Sequence, residues 1–212
     1  MALPVDICNW GLLRLGQPSI NNINPPFLDA RGLSATCAML YPLVRDAELR
    51  ANVWSFARKR VVLAADGNTP PFGTDDDEPD SPGADGPTWA DETPMATPQI
   101  YQFQLPPDFL RMIKAKYEQR RIEGNMVLTY EDSPINFQYV YRADPSLFDP
   151  LFVKAMSCSM ALELTETVTT STQKKQDIKQ DYKDAIAEAR RTNAIEAPDE
   201  RTPEDSFVIV RR

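Results

Sequence analysis

Between Tyr139 and Leu164 the sequence YVYRADPSLFDPLFVKAMSCSMALEL changes its hydrophobic period once. Apolar residues alternate at Ile135, Phe137, Tyr139 and Tyr141, as on a strand with one buried face. Asp144-Pro145 ends that ladder, because proline has no N–H to donate and pushes its predecessor away from helical geometry. Asp149-Pro150 then reads as a helix start, an aspartate able to accept the orphan N–H groups followed by proline at the first helical position. From Leu151 onward Phe152, Ala155, Met156, Met160, Leu162 and Leu164 cover a broad face with small residues between them. Such a helix is expected to be buried on more than one side. A strand region handing over to a buried helix already points to an α+β chain.

The remaining periodicity fills in that class. A helix is predicted from about Val5 to Leu15, ended by Gly16, and a second from a cap at Asp29 through Leu33, Cys37, Leu40 and Val44 toward Trp54. Tyr41-Pro42 predicts a break or kink in it, and Trp54 and Phe56 read as core anchors. Strand patterns cover Tyr101–Leu105, Leu110–Tyr117, Met126–Tyr130 and Ile135–Tyr141, separated by turn signals, and predict one small antiparallel sheet. A polar helix from about Ser171 to Asn193 follows the Asp149 helix. The expected organisation is a helical bundle from both chain ends (1–60 and 143–196), a central antiparallel β domain (100–142), a long acidic, proline-rich loop (61–99) and an extended C-terminal tail (197–212).

The loop is set apart by its composition. From Val61 to Leu110 there is no lysine or arginine, and Asp75, Asp76, Asp77, Glu78, Asp80, Asp85, Asp91 and Glu92 crowd into a stretch with seven prolines and four glycines between 61 and 99. Such a segment cannot build a core by itself. Its acidic run lacks the D-x-D-x-D-G spacing and closing glutamate of a calcium loop, so a solvated loop is the better reading.

Composition excludes much chemistry. There is no histidine, which removes Ser-His-Asp and Cys-His catalysis and histidine metal sites. Cys8, Cys37 and Cys158 sit in apolar helical patterns without paired metal spacing and read as reduced core residues. GLLRLG (Gly11–Gly16) lacks the lysine and Ser/Thr of a phosphate loop, and Ser157-Cys158-Ser159 lies within an apolar helix instead of an exposed elbow. No cofactor is expected. No apolar run approaches the roughly 18 residues of a membrane span and no leader pattern opens the chain, so a soluble, unprocessed protein without membrane contact is expected. A formal charge of −8 disfavours wrapping nucleic acid. The cluster Arg111, Lys114, Lys116, Arg120 and Arg121 reads as the solvated face of the sheet in preference to a phosphate site.

The polar C-terminal helix is patterned differently. At about 100° per residue, Ile178, Tyr182, Ala185, Ile186 and Ala189 form a narrow stripe. Asp177, Asp181, Asp184 and Glu188 flank it on one side and Lys175, Lys179, Lys183 and Arg190 on the other. Like charges four residues apart cost an isolated helix about 0.2–0.5 kcal/mol each, so another surface is expected to answer each row. Identical subunits set head to tail would place the acidic flank of one against the basic flank of the next, an arrangement that closes into a ring. The alternative is a bundle helix with two solvated charged faces.

Four segments, ALPVDICNWGLLRLGQ, LYPLVRDAELRANVWSFARKR, FQLPPDFLRMI and YRADPSLFDPLFVKAMSCSMALELTE, occur in this order along nearly the whole chain. Together they resemble the tail tubular protein A, or head-to-tail adaptor, family of short-tailed bacteriophages. The resemblance implies a non-enzymatic structural protein of the virion head–tail junction, made in the host bacterial cytoplasm. It further implies a dodecameric ring between the portal protein and the tail nozzle protein, with DNA passing through its centre without sequence-specific binding. It also implies a helical bundle combined with a β domain. The acidic balance would suit a channel wall that repels phosphates. Phe207, Val208, Ile209 and Val210 form an apolar, β-prone patch after a polar spacer, suited to docking on another subunit or the portal, or to folding back on the chain's own sheet. The competing functions are a cytoplasmic helical scaffold or regulator without ring assembly, and an enzyme using converging carboxylates.

Overall fold

The computed structural model describes residues 2–23, 32–67, 100–113, 120–131, 133–168 and 171–196. The chain is mixed α+β and divides into two compact units. One combines the described residues up to Arg58 with those from Val140 onward; the other spans Lys59–Tyr139.

The first unit is helical. Helix α1 covers Pro4–Leu15, with proline at its first turn and the Asp6 carboxylate accepting the Leu3 N–H at 2.9 Å. Gly16 ends it at φ 72°, the left-handed conformation that glycine adopts without steric cost, and hands the Gly16 and Gln17 N–H groups back to Leu13 and Leu12. Helix α2 runs over Leu33–Ala51 straight through Pro42, so the predicted break does not occur. Pro42 is exposed, which leaves the carbonyl it deprives of a donor near water, and buried Cys37, Tyr41, Val44 and Leu49 anchor both halves. The expected cap, Asp29, lies outside the described residues.

Helix α3, Pro150–Val168, is the centre of the unit, in contact with α1, α2 and the last helix, α4 (Thr172–Glu196). Its start is the predicted one: Asp149 Oδ1 accepts the Leu151 and Phe152 N–H groups at 2.8 and 3.3 Å. Burial from Phe152 to Thr165 extends around the helix, and Ser157 and Thr165 spend their hydroxyls on carbonyls of their own helix. Gly11 of α1 lies against α3 so closely that a Cβ there would stand 3.1 Å from the Ser157 carbonyl oxygen. At the α3 N-terminus Trp54, Phe56, Phe148 and Phe152 form an aromatic cluster with centroids 4.9–6.0 Å apart. Trp54 is fully buried and donates its indole N–H to the Glu48 carbonyl.

The second unit departs further from expectation. It holds two three-stranded sheets instead of one. Strands β1 (Arg58–Leu63), β6 (Ile135–Tyr141) and β3 (Phe109–Met112) form one in the order β1-β6-β3; β2 (Tyr101–Gln104), β5 (Met126–Thr129) and β4 (Arg120–Glu123) form the other in the order β2-β5-β4. In the second sheet β5 pairs antiparallel with both neighbours, Tyr101 and Arg120 both facing Thr129, and Gly124 at φ 56° turns β4 into β5. Residues 61–63, expected to open the acidic loop, instead complete β1: Val61, Val62 and Leu63 are strand formers, and their partner strand lies over seventy residues away in sequence. Phe103, Val127, Phe137 and Tyr139 are the buried heart of this unit. Arg120 is a second correction. It is not on a solvated face: only 4% of its side chain is exposed, and it forks onto Glu131 at 2.7 and 3.2 Å and onto the Asn136 carbonyl at 2.8 Å. Lys114 and Lys116 lie outside the described residues, as does the segment 68–99.

Among the described residues no helix is long and apolar enough to cross a membrane.

Candidate interaction surface

Helix α4 buries the predicted stripe. Ile178, Ala185, Ile186 and Ala189 are at most 6% exposed. Tyr182 completes the stripe and donates its hydroxyl to the buried carboxylate of Glu48 on α2 at 3.1 Å. Burial, and next the Glu48 charge, push the Tyr182 phenol well above its ordinary range, so it stays a donor.

The charged flanks are treated unequally by the fold. On the acidic side, Arg14 of α1 reaches Asp181 at 3.2 Å and Lys154 of α3 reaches Glu188 at 3.0 Å. These two cations, Asp181, Asp184, Ala185 and Glu188 line a cleft of about 200 Å³. Arg14 also lies 5.7 Å from the Trp10 ring centroid, a cation–π contact that holds the guanidinium between α1 and α4. Asp177 and Asp184 are exposed and, among the described residues, receive the side-chain amides of Gln173 and Gln180, both at 3.0 Å. The expectation that both rows await an outside partner is therefore corrected for Asp181 and Glu188. Two cations on the helices beside α4 already answer them.

On the basic side, Lys175 pairs with Glu166 near the end of α3, and this hydrogen bond holds the exposed Glu166 carboxyl below its ordinary range. The rest of the row behaves differently. Lys179, Lys183 and Arg190 are exposed and form no ion pair among the described residues. Three exposed cations thus lie at nearly one angle along the helix, with Arg190 close enough to the Tyr182–Glu48 pair to act on it electrostatically. The tail residues Phe207, Val208, Ile209 and Val210 lie outside the described residues.

Sequence reasoning missed the in-chain partners, although a signal existed. Only three residues separate α3 from α4, and an antiparallel hairpin turned there sets Lys154 opposite Glu188 and Glu166 opposite Lys175. It also missed two exposed apolar faces. Leu3, Trp10 and Leu13 lie on α1 or at its cap, 62%, 38% and 72% exposed; Met39 and Leu43 lie one turn apart on α2.

The three thiols are buried and unbridged. Cys8 and Cys37 share a hydrogen bond between α1 and α2, which together with burial pushes the Cys8 thiol far up; burial raises the Cys158 thiol above its ordinary value. The described residues hold no group of three His, Cys, Asp or Glu side chains able to bind a metal. No protein-family model matches the chain, and no curated protein matches it.

Proposed function

We propose that this chain is a head-to-tail adaptor subunit of a short-tailed bacteriophage, assembling into a ring, a dodecamer by family resemblance, between portal and tail nozzle. DNA passes through the ring without being read, and the protein acts as a structural part of the virion, not an enzyme. In this reading α1, α2 and α4 around α3 form the bundle that makes the ring's helical layer. The observation that carries it is the row of Lys179, Lys183 and Arg190, exposed and without an ion-pair partner among the described residues, on a helix whose opposite flank presents exposed Asp177 and Asp184, bonded there by the amides of Gln173 and Gln180. Unlike faces on opposite sides of one helix suit a heterologous contact repeated by rotation. The exposed apolar residues of α1 and α2 add surface of the kind that such contacts bury.

A second reading, a helical scaffold without ring assembly, is favoured by the in-chain pairs of Asp181, Glu188 and Lys175, which leave fewer charges needing a partner. Light scattering after size exclusion separates the two. The wild-type chain mixed with portal protein at about 0.15 M salt is expected to give a large closed assembly, and K179E/K183E/R190E a monomer. Lys175 is left intact because its partner is internal. An unchanged mass for the triple variant removes the charged row from the interface. A wild-type chain that stays monomeric beside the portal overturns the adaptor and leaves the scaffold.

A further inference from the structure

Apart from the Arg14 guanidinium against the Trp10 ring, the apolar stripe on α1 stands open among the described residues. Leu3, Trp10 and Leu13 fall within an arc of about 80° at 100° per residue, and all three are exposed while Ile7, Cys8, Leu12 and Leu15 on the other side are buried. A tryptophan and two leucines on one outward face form a patch that solvent does not favour. The C-terminal tail carries a run of four apolar residues, Phe207–Val210, after a polar spacer. We propose that the α1 stripe is the docking surface for Phe207–Val210 of its own chain.

The directions of the helices favour this occupant. Gly11 lies against Ser157, Met160 and Ala161 of α3, whereas Leu15 accepts a hydrogen bond from Lys174 Nζ at the start of α4, beside the end of α3. Helix α1 therefore runs parallel to α3 and antiparallel to α4. Its N-terminal end points along α4 toward Glu196, where the described part of the helical unit ends. At 1.5 Å per residue the twelve residues of α1 span about 18 Å, and α4 extends roughly 15 Å past that level. The eleven residues from Ala197 to Phe207 reach up to about 36 Å when extended, enough to turn back onto α1.

Dimensions agree as well. The stripe from Leu3 to Leu13 is about 15 Å long, and four extended residues cover about 13 Å. Alternation puts Phe207 and Ile209 on one face of the segment, two apolar side chains against Trp10 and its leucine neighbours. Docking would shield the stripe in the free subunit and leave it to be uncovered when another surface competes for the tail. The inference does not require the ring: a monomeric scaffold would cover its α1 in the same way.

The test uses the full chain with a photo-crosslinking benzoylphenylalanine at position 13, which is exposed enough to accept it. Equal amounts of light and ¹⁵N-labelled protein are mixed and irradiated, and the linked peptides are read by mass spectrometry. The expected product joins the α1 peptide to one containing residues 207–210, with both halves light or both heavy. Mixed-label products would assign the stripe to a second copy's tail and overturn the proposal, and so would the absence of any product containing 207–210. A second measurement uses F207D/I209D in a Trp89→Phe background, where Trp54 is buried and Trp10 is the accessible indole of the described unit. Trp10 emission is expected to shift to the red and to be quenched more readily by acrylamide. Unchanged emission and quenching overturn the proposal even if the crosslink were lost to misfolding.

Discussion

Replacing Gly11 tests the contact on which the helical unit turns. An alanine Cβ would sit 3.1 Å from the Ser157 carbonyl oxygen, 3.3 Å from the Ala161 nitrogen and 3.3 Å from Met160 Cβ. Two of these are backbone atoms of α3 and the third is a Cβ, so no side-chain rotation relieves them. Alanine gains about 0.8–1.0 kcal/mol of helix propensity over glycine, while forcing a methyl into a filled interface costs about 1–3 kcal/mol. The balance predicts that Gly11→Ala lowers stability by about 1 kcal/mol. Gly11→Val, with two more carbons and a branched side chain, is expected to lower it by about 3 kcal/mol. For a chain of this length these correspond to drops in Tm of about 3 and 9 °C, followed by far-UV circular dichroism. Met160→Ala is expected not to rescue either variant, because it keeps the Cβ that clashes. A Gly11→Ala protein as stable as the wild type, or more so, would refute the claim that α1 and α3 meet at backbone distance there.

Other perturbations report on the β unit and the thiols. Arg120→Met should destabilise the unit by about 2 kcal/mol in urea, since it removes a charged fork and a bond to the Asn136 carbonyl; a neutral outcome would mean that Arg120 is solvated. Burial raises the Asp108 carboxyl, but hydrogen bonds from Lys59 at 2.7 Å and Tyr139 at 2.8 Å outweigh it and hold the group below its ordinary value of 3.8. Its stabilisation is thus present above pH 3.8 and lost as pH falls through the lower folded value, and Asp108→Asn should flatten that acid limb of a stability–pH curve. The buried thiols of Cys8, Cys37 and Cys158 should resist an aromatic disulfide reagent at pH 8 until denaturant is added. Rapid titration of any of them in the native protein would contradict their burial.

Legibility followed the range of the interactions. The start of α3 at Asp149-Pro150, the stop of α1 at Gly16 and the buried stripe of α4 are written within a few neighbouring residues, and each was readable. Pro42 misled because its local penalty is real, yet residues on both sides of it pack on the unit and the proline itself faces water. Strand β1 was missed because Val61–Leu63 pair with a strand beyond the acidic segment, and β4 because Arg120 and Arg121 made it look like a polar surface. In the interaction surface, both charged rows of α4 were visible. That Arg14 and Lys154 occupy one of them depends on where α1 and α3 lie, which no helical wheel of α4 contains.

The charge of the chain gains a sharper meaning once it is divided by segment. Eight of its 31 acidic residues lie between 68 and 99, against none of its 23 basic residues, so everything outside that stretch is formally neutral. The formal −8 is therefore not a property of the residues outside that stretch, and if the chain is an adaptor subunit a phosphate-repelling channel cannot be ascribed to its whole surface. The described units combine internal ion pairs with a local cationic row, Lys179, Lys183 and Arg190, that attracts acids instead of repelling them. Within the adaptor reading this constrains placement on electrostatic grounds alone. The cationic row belongs at a contact between subunits, because exposed to passing DNA it would retain phosphates in proportion to the charges it neutralises. Repulsion of DNA then rests on residues 75–92, whose eight carboxylates carry the chain's excess negative charge.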